Sequence, residues 1–132
     1  MEKTKGVAII LYTSDGKILL QHRTPDAPRL PNKWGCFGGR IEAAELPIDA
    51  VKRECLEELE YELVNPLHFL TKEVLSEGTV DYFAEKYDIS KTLVLREGRA
   101  LGWFTVEAAL ELDSTESVQL LLESLKEQNP LF

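Results

Sequence analysis

The sequence predicts a single α/β domain. β-Branched and aromatic runs alternate with two amphipathic helical segments, and the chain of 132 residues has the length of one domain. Hydrophobic residues make up 44% and charged residues 29%, the balance of a globular protein.

Gly6–Thr13 is apolar and β-branched and reads as a strand, and Lys17–Arg23 as its return. The turn between them is centred on Asp15-Gly16, so the two form a hairpin. Thr24–Lys33 holds three prolines and reads as a loop leading to "WGCFGGRIE". From Pro47 to Leu59 the pattern is helical, with Pro47 in the first turn. Ile48, Val51, Cys55, Leu56 and Leu59 share its apolar face, and Lys52 must snorkel. Leu67–Leu75 and Thr79–Tyr87 are strands joined at "SEGT", the second alternating Val80, Tyr82 and Ala84 against Asp81, Phe83 and Glu85. A loop at Arg96–Arg99, a short strand through Trp103-Phe104 and a short helix from Val106 follow. Ser114–Glu127 closes the chain as a helix with Val118, Leu121, Leu122 and Leu125 inward.

Bulk features exclude several classes. No apolar run reaches the roughly 20 residues that span a bilayer, and the start lacks a secretory pattern. A cytoplasmic protein with no membrane partner is expected. A net charge of −8 disfavours long nucleic acid, but not a small anion bridged by metal cations. Cys36 and Cys55 read as small buried groups, not as a redox pair.

The stretch "RECLEELEYE" holds five glutamates in ten residues. Like charges three or four apart on a helix repel by about 0.2–0.5 kcal/mol per pair. Glu54, Glu57 and Glu58 lie within one sector of the helix. They form either a solvated face or a cradle of hard oxygen ligands, for which a divalent ion would cancel the repulsion. The paired glycines Gly38 and Gly39 upstream permit close backbone approach to a ligand.

Gly39, five residues, Glu45, seven residues and Arg53-Glu54-Cys55-Leu56-Glu57-Glu58 together resemble the Nudix box, G-x5-E-x7-R-E-U-x-E-E-x-G-U, with U a bulky aliphatic residue. "LLQHRTPDAPRLPNKWGCFGG" and "REGRALGWFTVEAAL" are similar to the flanking strands and loops of MutT-like enzymes. The resemblance implies a Nudix fold, in which a mixed central sheet is sandwiched between helices. It also implies metal-dependent hydrolysis of a nucleoside diphosphate linked to another group, X, with a nucleoside triphosphate or nucleotide sugar expected.

The resemblance carries roles over to particular residues. Glu54, Glu57 and Glu58 would hold Mg2+ or Mn2+, helped by a carbonyl of Gly38 or Gly39. Arg53 would orient the carboxylates, with Glu45 as its structural partner. Glu97, before a glycine, would be the general base. Arg23, Gly39 and Arg40 would meet the nucleotide. Trp34, Phe37 and Trp103, by residue type alone, are candidates to stack on a base or, more often for aromatic residues in strands, to fill the core. A homodimer is compatible with the family.

This chain departs from the pattern at four positions. Glu60 replaces the glycine that ends the box helix, Ala44 stands where many relatives have glycine, and Cys55 and Tyr61 replace aliphatic residues. No counterpart of the asparagine that reads an oxidised purine stands near Asp113-Ser114-Thr115. A non-catalytic nucleotide sensor on the same fold is the alternative. An isoprenoid diphosphate isomerase fits poorly with only two histidines.

Overall fold

A computed structural model describes residues 5–75, 78–96, 98 and 100–128. Seven strands and three helices follow in the order β1 (Lys5–Tyr12), β2 (Ile18–His22), β3 (Trp34–Gly35), β4 (Phe37–Arg40), α1 (Pro47–Leu59), β5 (Leu67–Val74), β6 (Gly78–Lys86), β7 (Ala100–Phe104), α2 (Val106–Ala109) and α3 (Glu116–Gln128). The strands form one mixed sheet ordered β3-β2-β1-β6-β5, with β4 also beside β1 and β7 beside β2.

β1 is the centre of the sheet, and its sequence says so. Val7, Ala8, Ile9, Ile10 and Leu11 are all buried, the unbroken apolar run of a strand covered on both faces. It pairs in parallel with β6 along its whole length. The expected β1–β2 hairpin is real only at its turn. Gly16 N donates to Thr13 O, so Ser14 and Asp15 are the central residues and Gly16, at φ +84°, comes after them. Beyond the Tyr12–Ile18 pair, β2 leaves β1 and pairs with β3 and β7, while β4 lies against Gly6–Ile9. That displacement brings the glycines of β4 to the middle of the sheet.

Each face carries its own core. One buries Ala8, Ile10, Leu20 and Tyr82 under Val118, Leu121, Leu122 and Leu125 of α3. The other buries Val7, Ile9, Leu19 and Phe83 under Ala50, Val51, Cys55 and Leu59 of α1. The alternation in β6 therefore separates two cores, and Phe83 is buried as well as Tyr82. The last helix begins at Glu116, after Ser114 forms a parallel bridge to Trp34 and Thr115 N donates to Trp34 O.

Helix α1 is rotated relative to the expected stripe. Ile48 is 37% and Leu56 52% exposed, whereas Glu58 is only 3% exposed. The inward face runs through Ala50, Val51, Cys55, Glu58 and Leu59. Burial of Val51 and Leu59 contributes about 1.5–3 kcal/mol each, which exceeds the few tenths lost per acid pair. Burial, followed by the carboxylates of Glu58 and Glu85, pushes the Cys55 thiol up to about 12. It is an inert core group, as expected.

The end of α1 shows how the helix stops without its glycine. Glu60 takes the left-handed conformation itself, with φ 51° and ψ 33°, and its N–H donates to Leu56 O at 3.0 Å. Ala44, the other glycine position, also has a positive φ of 65°. A crossing strap relieves the helix end: Val94 N donates to Leu59 O and Arg96 N to Glu58 O. The Glu60 carboxylate pairs with Arg96. Tyr61 then turns inward, and its hydroxyl accepts from Asp88 N at 3.0 Å.

A left-handed non-glycine residue costs about 1–2 kcal/mol, whereas an exposed ion pair returns roughly 0–1 kcal/mol. Glu60→Gly should therefore stabilise the fold by up to about 1 kcal/mol, after the chain-entropy cost of glycine. Urea unfolding checks this; a loss of stability would show that the Arg96 pair outweighs the backbone strain.

Candidate active site

The site is built where β4, the following loop and α1 meet. Gly38 has a φ of +147°, and a Cβ there would overlap the carbonyl of Val7 in the neighbouring strand. Gly39 is needed for a different reason. A Cβ on it would stand 2.5 Å from the Glu54 carboxylate, so the acid rests directly on the backbone. Gly38 N donates to Glu58 Oε1 at 3.0 Å. Two of the three helix acids thus pack against the two glycines.

Arg53 fixes this contact. Its Nε and Nη2 donate to the two oxygens of Glu45 at 2.8 and 3.0 Å, a bidentate pair. Nη1 donates to Glu54 Oε1 at 2.9 Å and reaches Glu57 Oε2 at 3.4 Å. Nη2 also donates to the carbonyl of Arg40 at 3.0 Å. One side chain therefore joins the loop, the helix and the end of β4. Bonds to Glu45 foremost, then to Glu54, outweigh burial and hold the Arg53 guanidinium above its ordinary range. In the loop, Glu42 N donates to Glu45 Oε1.

The three carboxylates are not equivalent. Glu58 is buried, Glu54 is mostly enclosed, and Glu57 is 59% exposed on the outer side of Arg53. Among the described residues no three acids or other ligands converge closely enough to hold an ion by themselves. The donor set nevertheless suits Mg2+ or Mn2+. It consists of hard oxygens at one edge of an open cleft, and such ions keep waters and substrate oxygens among their ligands.

That cleft has a volume of about 230 Å3 and runs along β4. Among the described residues its charged and polar lining comes from Gln21, Arg23, Arg29, Arg40, Thr115 and Ser117, together with Cys36, and includes no acid. In a chain of net charge −8 the cleft is thus a cationic region beside a carboxylate ledge. Arg23 Nε donates to Arg29 O at 2.9 Å. Thr115 and Ser117 form a buried hydroxyl pair at 2.9 Å.

The structure thus brings Glu54, Glu57, Glu58, Arg53, Glu45, Gly38 and Gly39 together at one end, and sets Arg23 and Arg40 along the cleft. Glu97 lies outside the described residues. Of the aromatic candidates, Phe37 is a core residue, Trp34 stacks on His22 and meets Phe104 edge-on, and Trp103 packs on Tyr87. Sequence reasoning missed Gln21, Arg29, Thr115 and Ser117. Nothing local marks them, because the Trp34–Ser114 bridge that folds the last two into the cleft spans 80 residues of chain.

The Glu45–Arg53 pair has a pH signature. The bonds from Arg53, then the Glu42 amide, hold the Glu45 carboxyl down at about 2 against an ordinary 4.5. A lowered folded value means that the stability it supplies is complete above about 4.5 and is lost as the pH falls towards 2. The stability difference between wild type and Glu45→Gln, from urea unfolding at stepped pH, should therefore shrink across that window. A difference constant from pH 6 to pH 2.5 would count against the pair.

Comparison with known proteins agrees with this geometry. Residues 2–123 match the model of the NUDIX domain. A MutT NUDIX hydrolase from Burkholderia pseudomallei superposes with a TM-score of 0.78 at 25% identity, covering 91% of this chain and 95% of that one. The E. coli ORF135 protein superposes with a TM-score of 0.70 at 30% identity, covering 98% and 94%. The m7GpppN-mRNA hydrolase NUDT17 of Danio rerio is 42% identical over 53 residues, 40% of this chain but only 18% of that protein's length. With its box assembled around Arg53, the chain belongs to the NUDIX domain family and is similar in fold to the MutT NUDIX hydrolases.

Proposed function

We propose that the chain is a divalent-metal-dependent pyrophosphohydrolase of small nucleotides. It would cleave the phosphoanhydride of a nucleoside diphosphate linked to X, with a nucleoside triphosphate or nucleotide sugar as substrate. The observation that carries this reading is the polarity of the site: Glu54 and Glu58 against Gly38–Gly39 on one side, and Arg23, Arg29 and Arg40 among the described residues lining the cleft on the other.

Each group has a task in this reading. Glu54, Glu57 and Glu58, with a carbonyl of Gly38 or Gly39, would hold Mg2+ or Mn2+, which supplies charge neutralisation on phosphoryl oxygens and an acidified water. Arg53 holds Glu54 in place, so the carboxylate does not reorganise when substrate arrives. Arg40, exposed at the cleft edge beside Gly39, would meet phosphate oxygens. The diphosphate would lie along the Gly38–Gly39 backbone, where the absence of side chains leaves room. Glu97 is proposed as the general base.

Glu58→Gln isolates the charge. The amide keeps an oxygen to accept from Gly38 N, so the fold should persist. In a nucleotide panel with Mg2+, followed by phosphate or pyrophosphate release, kcat should fall at least about a hundredfold, the scale of several kcal/mol of metal-borne stabilisation. A fully active Glu58→Gln would remove the metal assignment. A wild type that binds nucleotide yet turns over none of the panel would favour the sensor reading.

A further inference from the structure

Gln21 sits on β2 opposite Gly35 and is 3% exposed. Its Nε2 donates to the carbonyl of Cys36 at 3.0 Å. That bond fixes the orientation of the amide, since a carbonyl can only accept. Its Oε1 is left buried, with no hydrogen-bond partner among the described residues. A buried acceptor without a donor is costly, and this one belongs to a residue lining the cleft.

Arg23 stands two positions further along. Arg23 N donates to Lys33 O, so the β2–β3 ladder continues through it and the two side chains project from the same face. Both line the cleft and a hollow of about 90 Å3 that adjoins it. Arg23 Nε is engaged by Arg29 O, while its two Nη atoms make no hydrogen bond among the described residues. Gly98 also lines the hollow, and a Cβ on it would come within 2.7 Å of Gln21 Oε1. A side chain at that position would crowd the acceptor.

This wall therefore offers a two-pronged donor beside a lone acceptor. We infer that Gln21 and Arg23 select the base of the nucleotide, accepting those whose edge runs acceptor, acceptor, N–H donor. This inference rests on the nucleotide pyrophosphohydrolase reading above. Guanine presents N7, O6 and N1–H in that order, and cytosine presents O2, N3 and the N4 amine. Adenine, with N7, N6 amine and N1, and uracil, with O4, N3–H and O2, alternate instead. Either would set a base donor against an arginine donor. The preferred substrates are guanine or cytosine nucleotides, with adenine and uracil nucleotides disfavoured.

The test uses the four ribonucleoside triphosphates with Mg2+, read in two ways: kcat/KM, and equilibrium binding of their α,β-methylene analogues by calorimetry. GTP or CTP should exceed both ATP and UTP by roughly ten- to hundredfold, the worth of a bidentate pair. The preferred base is then altered without touching the protein. N1-methylguanosine triphosphate, or the 2-pyrimidinone nucleotide lacking the N4 amine, should lose the advantage. Arg23→Lys keeps the charge but not the fork, and should bring the ratio towards one. Hydrolysis with ATP or UTP equal to GTP and CTP would overturn the inference and leave the pyrophosphohydrolase reading standing. Selective binding without hydrolysis would do the reverse, and no binding by any analogue would overturn both.

Discussion

The guanidinium of Arg53 donates to Glu45, Glu54 and the carbonyl of Arg40 within 3.0 Å and reaches Glu57 at 3.4 Å. These partners come from the loop, the helix and the strand, and the one side chain ties all three together. The repulsion among the acids of α1 is answered in the same place, because a cation fixed among them offsets it without neutralising any of them. Lysine could supply the charge but not the planar fork that binds Glu45 and Glu54 together.

Glycine sets the second constraint. Glu54 reaches the cleft edge only because nothing projects from Gly39, and Glu58 finds its donor in Gly38 only because β4 runs against β1 without side chains between them. β1 in turn can accept β4 because β2 diverges after a single pair. The position of the carboxylates therefore depends on the path of a strand remote from them in sequence.

The end of the box helix shows the same economy of parts. Glu60 occupies a left-handed conformation that glycine takes without strain. The segment through Val94 and Arg96 caps the last carbonyls, and Arg96 meets the Glu60 side chain. The strap that stops the helix leads directly into the loop bearing Gly98 at the cleft. Helix termination and the cleft wall share a single stretch of chain.

The box was legible in the sequence because its chemistry depends on spacing along a single helix and its preceding loop. Positions i, i+3 and i+4 put acids on neighbouring turns whatever surrounds them, and Gly39, Glu45 and Arg53 follow at short range. The covering of both faces of the sheet came only with the family resemblance, whereas the strands β1 and β6 were legible from an apolar run and an alternation. Which acid would be buried was not, because the rotation of α1 is set by how Ala50, Val51 and Leu59 fit the sheet, leaving Leu56 outside and Glu58 within. The cleft wall was not legible either. Gln21, Arg29, Thr115 and Ser117 are separated by most of the chain and meet only because β2 leaves β1 for β3, and β3 bridges to Ser114. Local spacing determined which acids gather around Arg53 and the paired glycines. Long-range strand pairing, which no short pattern encodes, decided what those residues face.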